Sequence, residues 1–321
     1  MSKHRELRTS LGIVAAMVLA VVARAQTPSL ADAANQPATH AGMAADLRAQ
    51  VLLDRALFSP GEIDGRAGSN QQRALRGYQR AKGLEVTGKL DAATWTALNA
   101  GAPPVLVSYT ITAEDAGAGY AELPKDLVAQ GKLQALNFES VQEALGERFH
   151  ASPALLKQLN PGADFGKAGT LLQVPNVADV AAVAKAAKVV VDKSDSTLAL
   201  LDTTGRVVAQ VPVSSGSDHD PLPLGEWKTV AIALNPTFHY NPELFWDADP
   251  AHAKTVLAPG PNNPVGTVWI DLSKPHYGLH GTPHPEKVGK SQSHGCVRMT
   301  NWDAQRMAAA VKAGTPVVMQ E

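Results

Sequence analysis

Cys296 is the only cysteine in the 321-residue chain and stands in the run Ser293-His294-Gly295-Cys296-Val297-Arg298. Sixteen positions earlier, His280 lies in Gly278-Leu279-His280-Gly281-Thr282. A thiol becomes a strong nucleophile once it loses its proton, and imidazole is the usual side chain to take that proton. A lone cysteine cannot close an internal disulfide. The plain alternative is a buried, inert small residue. Against it stand the flanks: glycine on one side, histidine and arginine within two positions, and no continuous apolar strand. Cys296 and His280 are therefore a candidate nucleophile and base.

Neighbouring residues extend this site. Gly295 lets backbone come close to a reacting carbonyl, as an oxyanion hole requires. Arg298 is suited to hold a carboxylate with two parallel hydrogen bonds, either on a substrate or as a salt bridge that steadies the loop. His294 reads equally as a proton-transfer group, a substrate contact, or a spectator with a useful amide. Ser293 reads as a loop support rather than a nucleophile. His276, His280, His284 and His294 surround the thiol, but structural zinc wants four ligands at short regular spacings and no His-Glu-x-x-His signature occurs, so no metal is expected. No organic cofactor is expected either. His219, His239 and His252 fall in Pro- and Asp-rich loops, Tyr240 is placed to line a cleft, and Phe245 and Trp246 read either as a lid or as loop packing.

The elements that must carry these residues are strands. Residues 188–192, 197–202, 206–213, 265–272 and 315–319 are short β-branched or apolar runs, with a turn signal at Asp202-Thr203-Thr204-Gly205. One helix interrupts them, opened by Thr300 with Asp303 as a capping box and closed at Gly314. A mostly-β domain with one packed helix is expected over 186–321. Upstream, residues 44–101 carry three short helical patterns, the second starting at Ser69 with Gln72 as capping partner and stopping at Gly83, the third starting at Asp91 and burying Trp95 and Leu98. Residues 105–176 read as a small α+β module: strand, two short helices, strand. The chain is thus expected to be multidomain.

The first residues set the compartment. Lys3, Arg5 and Arg8 precede an apolar run and then Ala23-Arg24-Ala25, the pattern of a secretory signal over 1–25. Residues 26–43 lack apolar periodicity and read as a mobile linker. Nothing beyond residue 25 is long enough to span a bilayer, so an exported, periplasmic, wall-associated protein with no stable span after signal cleavage is expected. A net charge of −1 leaves no basic footprint for nucleic acid.

With these residues in view, His280-Gly281-Thr282 and Ser293-His294-Gly295-Cys296-Val297-Arg298-Met299 resemble the active-site signature of the L,D-transpeptidase family; Pro221-Leu222-Pro223-Leu224-Gly225-Glu226-Trp227 and Asn235-Pro236-Thr237 resemble further segments of that domain. Ile63-Asp64-Gly65, Leu75-x-x-Tyr78-Gln79 and Leu84-x-Val86-Thr87-Gly88 resemble the three-helix peptidoglycan-binding domain, and residues 105–176 resemble a lysin motif. The latter departs from its pattern by an insertion between positions 116 and 137, where it bears on the ligand groove. The resemblance implies a cysteine transpeptidase that forms a thioester with a peptidoglycan stem peptide, expels the terminal D-residue and passes the acyl group to an amine. It further implies His280 as general base, the Gly281 carbonyl as its orienter, and backbone amides of His294, Gly295 and Cys296 as the oxyanion hole. Arg298, Ser293, Thr282 and Tyr240 become the expected substrate contacts. A hydrolase or carboxypeptidase using the same thioester, or a wall-binding protein with a relic site, are the alternatives. β-Lactams, carbapenems above all, are expected to acylate the thiol.

Overall fold

The computed structural model describes residues 28–37, 41–177 and 183–321. The expected signal sequence lies outside the described residues, as do parts of the expected linker and of the connector before residue 186. In chain order the elements begin with α1 (Leu30–Asn35), α2 (Gly42–Arg55), α3 (Ser69–Lys82) and α4 (Ala92–Asn99). The middle segment follows with β1 (Leu106–Thr110), α5 (Ala113–Gly117), α6 (Leu127–Gln130), α7 (Val141–Arg148), α8 (Pro153–Leu159) and β2 (Leu171–Pro175). The last segment holds β3 (Lys188–Asp192), β4 (Thr197–Leu201), β5 (Val207–Pro212), β6 (Ser214–Ser215), β7 (Gly225–Leu234), β8 (Phe238–Tyr240), β9 (Thr255–Leu257), β10 (Val268–Leu272), β11 (Gly278–His280), β12 (Val297–Arg298), α9 (Asn301–Ala310) and β13 (Pro316–Gln320).

Helices α2, α3 and α4 are the expected three. Asp91 caps α4 by accepting from the Thr94 N–H, and Gly83 ends α3 in the left-handed region at φ +67°. The start of α3 differs from expectation. Gly68, not Ser69, is its N-cap, and Ser69 instead accepts from Arg73 Nη1 at 3.3 Å. The linker reading also needs correction: residues 30–35 form α1, whose Ala31 and Ala34 are buried among the bundle helices. Ser29 caps it, Arg48 Nη1 donates to the Ala34 carbonyl at 3.1 Å, and Asn35 Oδ1 accepts from the Val105 and Leu106 N–H groups.

In the middle segment β1 and β2 pair antiparallel, with α7 and α8 between them in sequence, the strand-helix-helix-strand order expected. One apolar core runs without a break from Ala31 through Leu53 and Trp95 to Leu156 and Val174, so bundle and middle module are fused. The insertion leaves that core: Leu136, fully buried, packs with Tyr240 and Leu257 of the last segment.

The last segment is built on a nine-stranded mixed sheet in the order β5-β4-β3-β13-β7-β10-β11-β12-β6. Its pairs are antiparallel except β13 with β3 and β11 with β12. Among the described residues its one α-helix is α9, which packs Ala304 and Met307 against Ile270, Leu279 and Val297. Thr300 caps α9 by accepting from the Asp303 N–H, but Asp303 does not close the expected box; its Oδ2 accepts from Ser59 Oγ at 2.8 Å.

All three segments meet at Asp54 in α2. Its carboxylate, with no solvent exposure, accepts from Arg306 Nη1 and Nη2 of α9 at 2.8 Å each and from His150 Nδ1 at 3.2 Å. Burial alone would raise its pKa, but His150 and Arg306 outweigh burial and hold it well below the usual carboxylate range. The charge therefore stabilises the fold above the unfolded value near 4, and that contribution is lost as pH falls further. Asp54→Ala leaves Arg306 buried without its main partner, and a loss of about 3–5 kcal/mol is expected in chemical denaturation at pH 7.

A cavity of about 220 Å³ beside this junction is lined by Glu62, Glu143, Glu147, Glu286 and Trp302. Burial pushes Glu147 up to about 8, and one of its oxygens, Oε1, has no partner. Folded-state affinity for the proton above the ordinary value of 4.5 means that this stabilisation is complete below pH 4.5 and disappears as pH rises through 8. Glu147→Gln is expected to flatten that decline, raising stability at pH 8 relative to wild type by at least about 1.4 kcal/mol, the equivalent of one pKa unit. Melting temperatures measured from pH 5 to 9 check it.

Candidate active site

The parallel pairing of β11 with β12 decides what faces the cleft. Leu279 is level with Val297 and His280 with Arg298. Leu279 and Val297 are buried in the core under α9. Side chains alternate along a strand, so His280 and Arg298 project from the opposite face, and Cys296, just before β12, projects with them. All three line one cleft of about 1200 Å³. Diagonal neighbours on adjacent strands lie roughly 7–8 Å apart at Cα, within reach of long side chains. A sequence separation of sixteen residues thus collapses to one strand step.

His280 is oriented from three sides. Its Nδ1 donates to the Gly281 carbonyl at 2.6 Å; a carbonyl only accepts, so the proton sits on Nδ1 and Nε2 keeps its lone pair. Trp269, its register partner on β10, stacks on the ring at 5.4 Å between centroids. Behind it, a Cβ on Gly281 would fall 2.1 Å from Asn301 Oδ1, which accepts from the Thr267 N–H. The first residue of α9 therefore closes the space beside the Gly281 Cα, next to the carbonyl that holds His280. No serine fits at position 281 unless Asn301 moves.

Cys296 is equally prepared. Its thiol donates to the His276 carbonyl at 3.7 Å, and His276 holds the left-handed backbone at φ +69° that presents this carbonyl. Gly295 is at φ +91°, and a Cβ there would lie 2.7 Å from the Tyr277 ring, so both backbone and neighbour demand glycine. Among the described residues, the N–H groups of His294, Gly295 and Cys296 have no backbone or side-chain acceptor.

The electrostatics bear on the protonation of this pair. Burial pushes the Cys296 thiol up, with the Gly278 backbone and Arg298 pulling the other way. Burial and the Arg298 charge lower His280 to about 3, against a smaller opposing pull from its bond to Gly281. Thiol and imidazole both rest neutral, so a sulfur acting as nucleophile would lose its proton in the act of attack.

Around this pair the other expected residues divide. Arg298 and Tyr240 line the cleft. Ser293 and Thr282 are not among the residues lining it. Ser293 is 4% exposed, donates to the Cys296 carbonyl at 2.5 Å and accepts from the Gly216 N–H at 2.7 Å. Thr282, 7% exposed, accepts from the His284 N–H. The Ser293 hydroxyl is spent on loop geometry, and that of Thr282 accepts within its own turn. His294 is a bridge: Nε2 donates to Asp247 Oδ1 at 2.8 Å, and Nδ1 faces Arg298 Nη2 at 3.4 Å. Phe245 packs edge-on against His294 at 5.1 Å and lines the cleft, while Trp246 stacks on His219 at 4.9 Å. Sequence reasoning missed Trp269, Tyr277, Asp247 and Asn301, and weighed His276 only as a metal ligand, not for its carbonyl. Only Trp269 carried a local signal, its alternation within a strand run.

A family model described as "L,D-transpeptidase catalytic domain" matches residues 186–319. A Bacillus licheniformis protein named "Putative L,D-transpeptidase YkuD" is 30% identical over 177 residues, covering 54% of this chain and 90% of that protein. This chain belongs to the L,D-transpeptidase family. Its namesake in Bacillus subtilis strain 168 is 30% identical over 172 residues, covering 53% of this chain and 88% of that one. A solved L,D-transpeptidase from Mycobacterium smegmatis matches with a TM-score of 0.35 at 17% identity, over 50% of this chain and 76% of the other. Residues 47–98 match a model described as "Putative peptidoglycan binding domain". The two together make this L,D-transpeptidase a peptidoglycan-modifying protein, and the cleft over β11 and β12 falls inside its catalytic domain.

The neutral thiol has a direct readout. Alkylation of Cys296 by iodoacetamide is expected to rise with pH through a midpoint above the ordinary thiol value of 9, with no inflection near 6.5 where an exposed imidazole titrates. Arg298→Ala moves the midpoint further up.

Proposed function

We propose that the chain is an exported cysteine L,D-transpeptidase that cross-links or modifies peptidoglycan through a thioester. The observation that carries this reading is the single sheet face, open to the cleft, that bears Cys296, His280 and Arg298. His280 Nε2 takes the proton from the Cys296 thiol as sulfur attacks the carbonyl of the donor stem. The oxygen becomes negative, and the unengaged N–H groups of His294, Gly295 and Cys296 are the donors available to it, each worth on the order of 10² to 10³ in rate. The carbon–nitrogen bond to the terminal D-residue then breaks, and the departing amine takes the proton from His280. An amine of a second stem attacks the thioester and gives a proton to His280; the carbon–sulfur bond then breaks and that proton passes from His280 to the sulfur, restoring the thiol. Arg298 supplies a fixed positive charge that steadies the developing thiolate and is suited to a stem carboxylate.

The bundle over 44–101 holds the enzyme to the wall in this reading, and the middle module, whose strand order suits a lysin motif, adds a second wall contact. Residues 1–25 direct export and are removed.

Purified protein with a defined stem tetrapeptide is expected to give a cross-linked dimer and free D-residue by mass spectrometry. A shortened monomer as the sole product would replace the transferase reading with the hydrolase one. Cys296→Ala is expected to reduce turnover by at least about 10⁴-fold without shifting the melting temperature by more than a degree or two. A carbapenem is expected to add its mass to wild type and not to Cys296→Ser.

A further inference from the structure

The loop that joins His280 to Cys296, between β11 and β12, is held from outside the catalytic domain. Asn70 lies in the first turn of α3, in the bundle, and is buried. Its Nδ2 donates to the Val288 carbonyl at 2.9 Å, and its Oδ1 accepts from Arg73 Nη1 at 2.7 Å. A carbonyl only accepts and a guanidinium only donates, so these two partners leave the amide one orientation. Arg73 Nη1 also donates to the Gly289 carbonyl at 3.1 Å. Two successive loop carbonyls are thus met by one turn of the bundle.

The fit is close. Gly289 holds φ +71°, and a Cβ there would fall 2.3 Å from Asn70 Oδ1. The Gly289 N–H donates to Ser214 Oγ of β6 at 3.0 Å, so the catalytic sheet grips this residue at its N–H and the bundle grips it at its carbonyl. Four positions on, Ser293 exchanges hydrogen bonds with the Gly216 backbone, just past β6, and its hydroxyl donates to the Cys296 carbonyl. The stretch that carries the unengaged N–H groups of His294, Gly295 and Cys296 starts at that anchor. Neither Asn70 nor Arg73 lines the cleft.

We propose that Asn70 and Arg73 of the bundle are positioning residues for the catalytic loop: by fixing Val288 and Gly289 they set where the N–H groups leading to Cys296 stand to receive the oxyanion. This deepens the transpeptidase reading and rests on it for the reaction served. The clamp makes and breaks no covalent bond and acts only through backbone placement. The bundle then has a task in the chemistry that is separate from gripping the wall, and it is felt even on a small soluble substrate.

The full chain serves for both measurements. Hydrogen exchange read by mass spectrometry follows the loop without any turnover. In Asn70→Ala, peptides within 282–296 are expected to exchange at least about tenfold faster while those of β10 and β13 keep their rates, as in a local opening. Exposed Gln72→Ala on the same helix is the neutral control. Unchanged loop exchange, or an equal rise in β10 and β13, overturns the proposal.

Two reactions of Cys296 then separate positioning from general loosening. Iodoacetamide forms a sulfur–carbon bond as iodide leaves, and no oxyanion develops. With p-nitrophenyl acetate the sulfur adds to the carbonyl, the oxygen becomes negative, and nitrophenolate departs. Acylation, with the Cys296→Ala rate subtracted, is expected to fall about tenfold in Asn70→Ala, because misplaced donors lose much of their effect. Alkylation is expected to stay within about twofold and to keep its pH midpoint, since the Gly278 backbone and Arg298 that act on the thiol are untouched. Equal losses in the two reactions, or none in either, overturn the proposal. Gly289→Ala presses on the same contact from the loop side and stands as the independent variant if Asn70→Ala fails to fold. The same split is expected there, and the double variant is expected to lose less than the sum of the two single losses, as partners in one contact do. None of these readouts needs a stem peptide, so they decide the clamp even if stem tetrapeptide gives no transpeptidase product.

Discussion

Asp54 holds a full negative charge where no water reaches, and the relative placement of everything else follows from how that charge is met. Arg306 answers it with both terminal nitrogens, and His150 with a third hydrogen bond. A charge so deep is tolerated only when its partners come close in good geometry. Those partners sit on different segments: Asp54 on the bundle, His150 on the middle module, Arg306 on the catalytic helix. Satisfying the carboxylate therefore docks all three. The helix that Asp54 docks begins with Asn301, which packs beside Gly281, and the Gly281 carbonyl accepts from His280 Nδ1.

The site itself relies on withheld ionisation. Burial keeps sulfur and imidazole neutral, and Arg298 is the one nearby charge that favours thiolate while opposing imidazolium. A neutral pair is less reactive toward stray electrophiles than a standing thiolate, because the thiolate is the nucleophilic form. A cleft of about 1200 Å³ must admit two peptide chains in this reading, and it is correspondingly open to other molecules. Keeping the proton on sulfur until a carbonyl is positioned beside it is one physical answer to that exposure.

The chemistry-bearing residues were legible because they cluster within nineteen positions, 280 to 298, where glycine and histidine types state their own constraints. The caps at Asp91 and Thr300 were legible for the same reason, since each is a local hydrogen bond within one turn. What the sequence concealed was long-range. Asp303 looked like half of a capping box but spends its carboxylate on Ser59, 244 positions away. Helix α1 has no periodicity of its own and exists because Ala31 and Ala34 find the bundle and Arg48 finds its last turn. Asp247 and Asp126 meet their histidines only through tertiary packing. The burial of Ser293 and Thr282 was hidden as well, because a motif names residue types and not their exposure.

The unbroken apolar core from α1 to β2 removes a degree of freedom that modular wall proteins usually keep. Bundle and middle module cannot swivel on each other, and Asp54 denies them a swivel on the catalytic sheet. An enzyme anchored this way works like a caliper. If the bundle grips the polymer as proposed, the thiol sits at one set span and heading from that grip. Bonds made by such a tool would be spaced by the geometry of the protein as much as by the supply of stems.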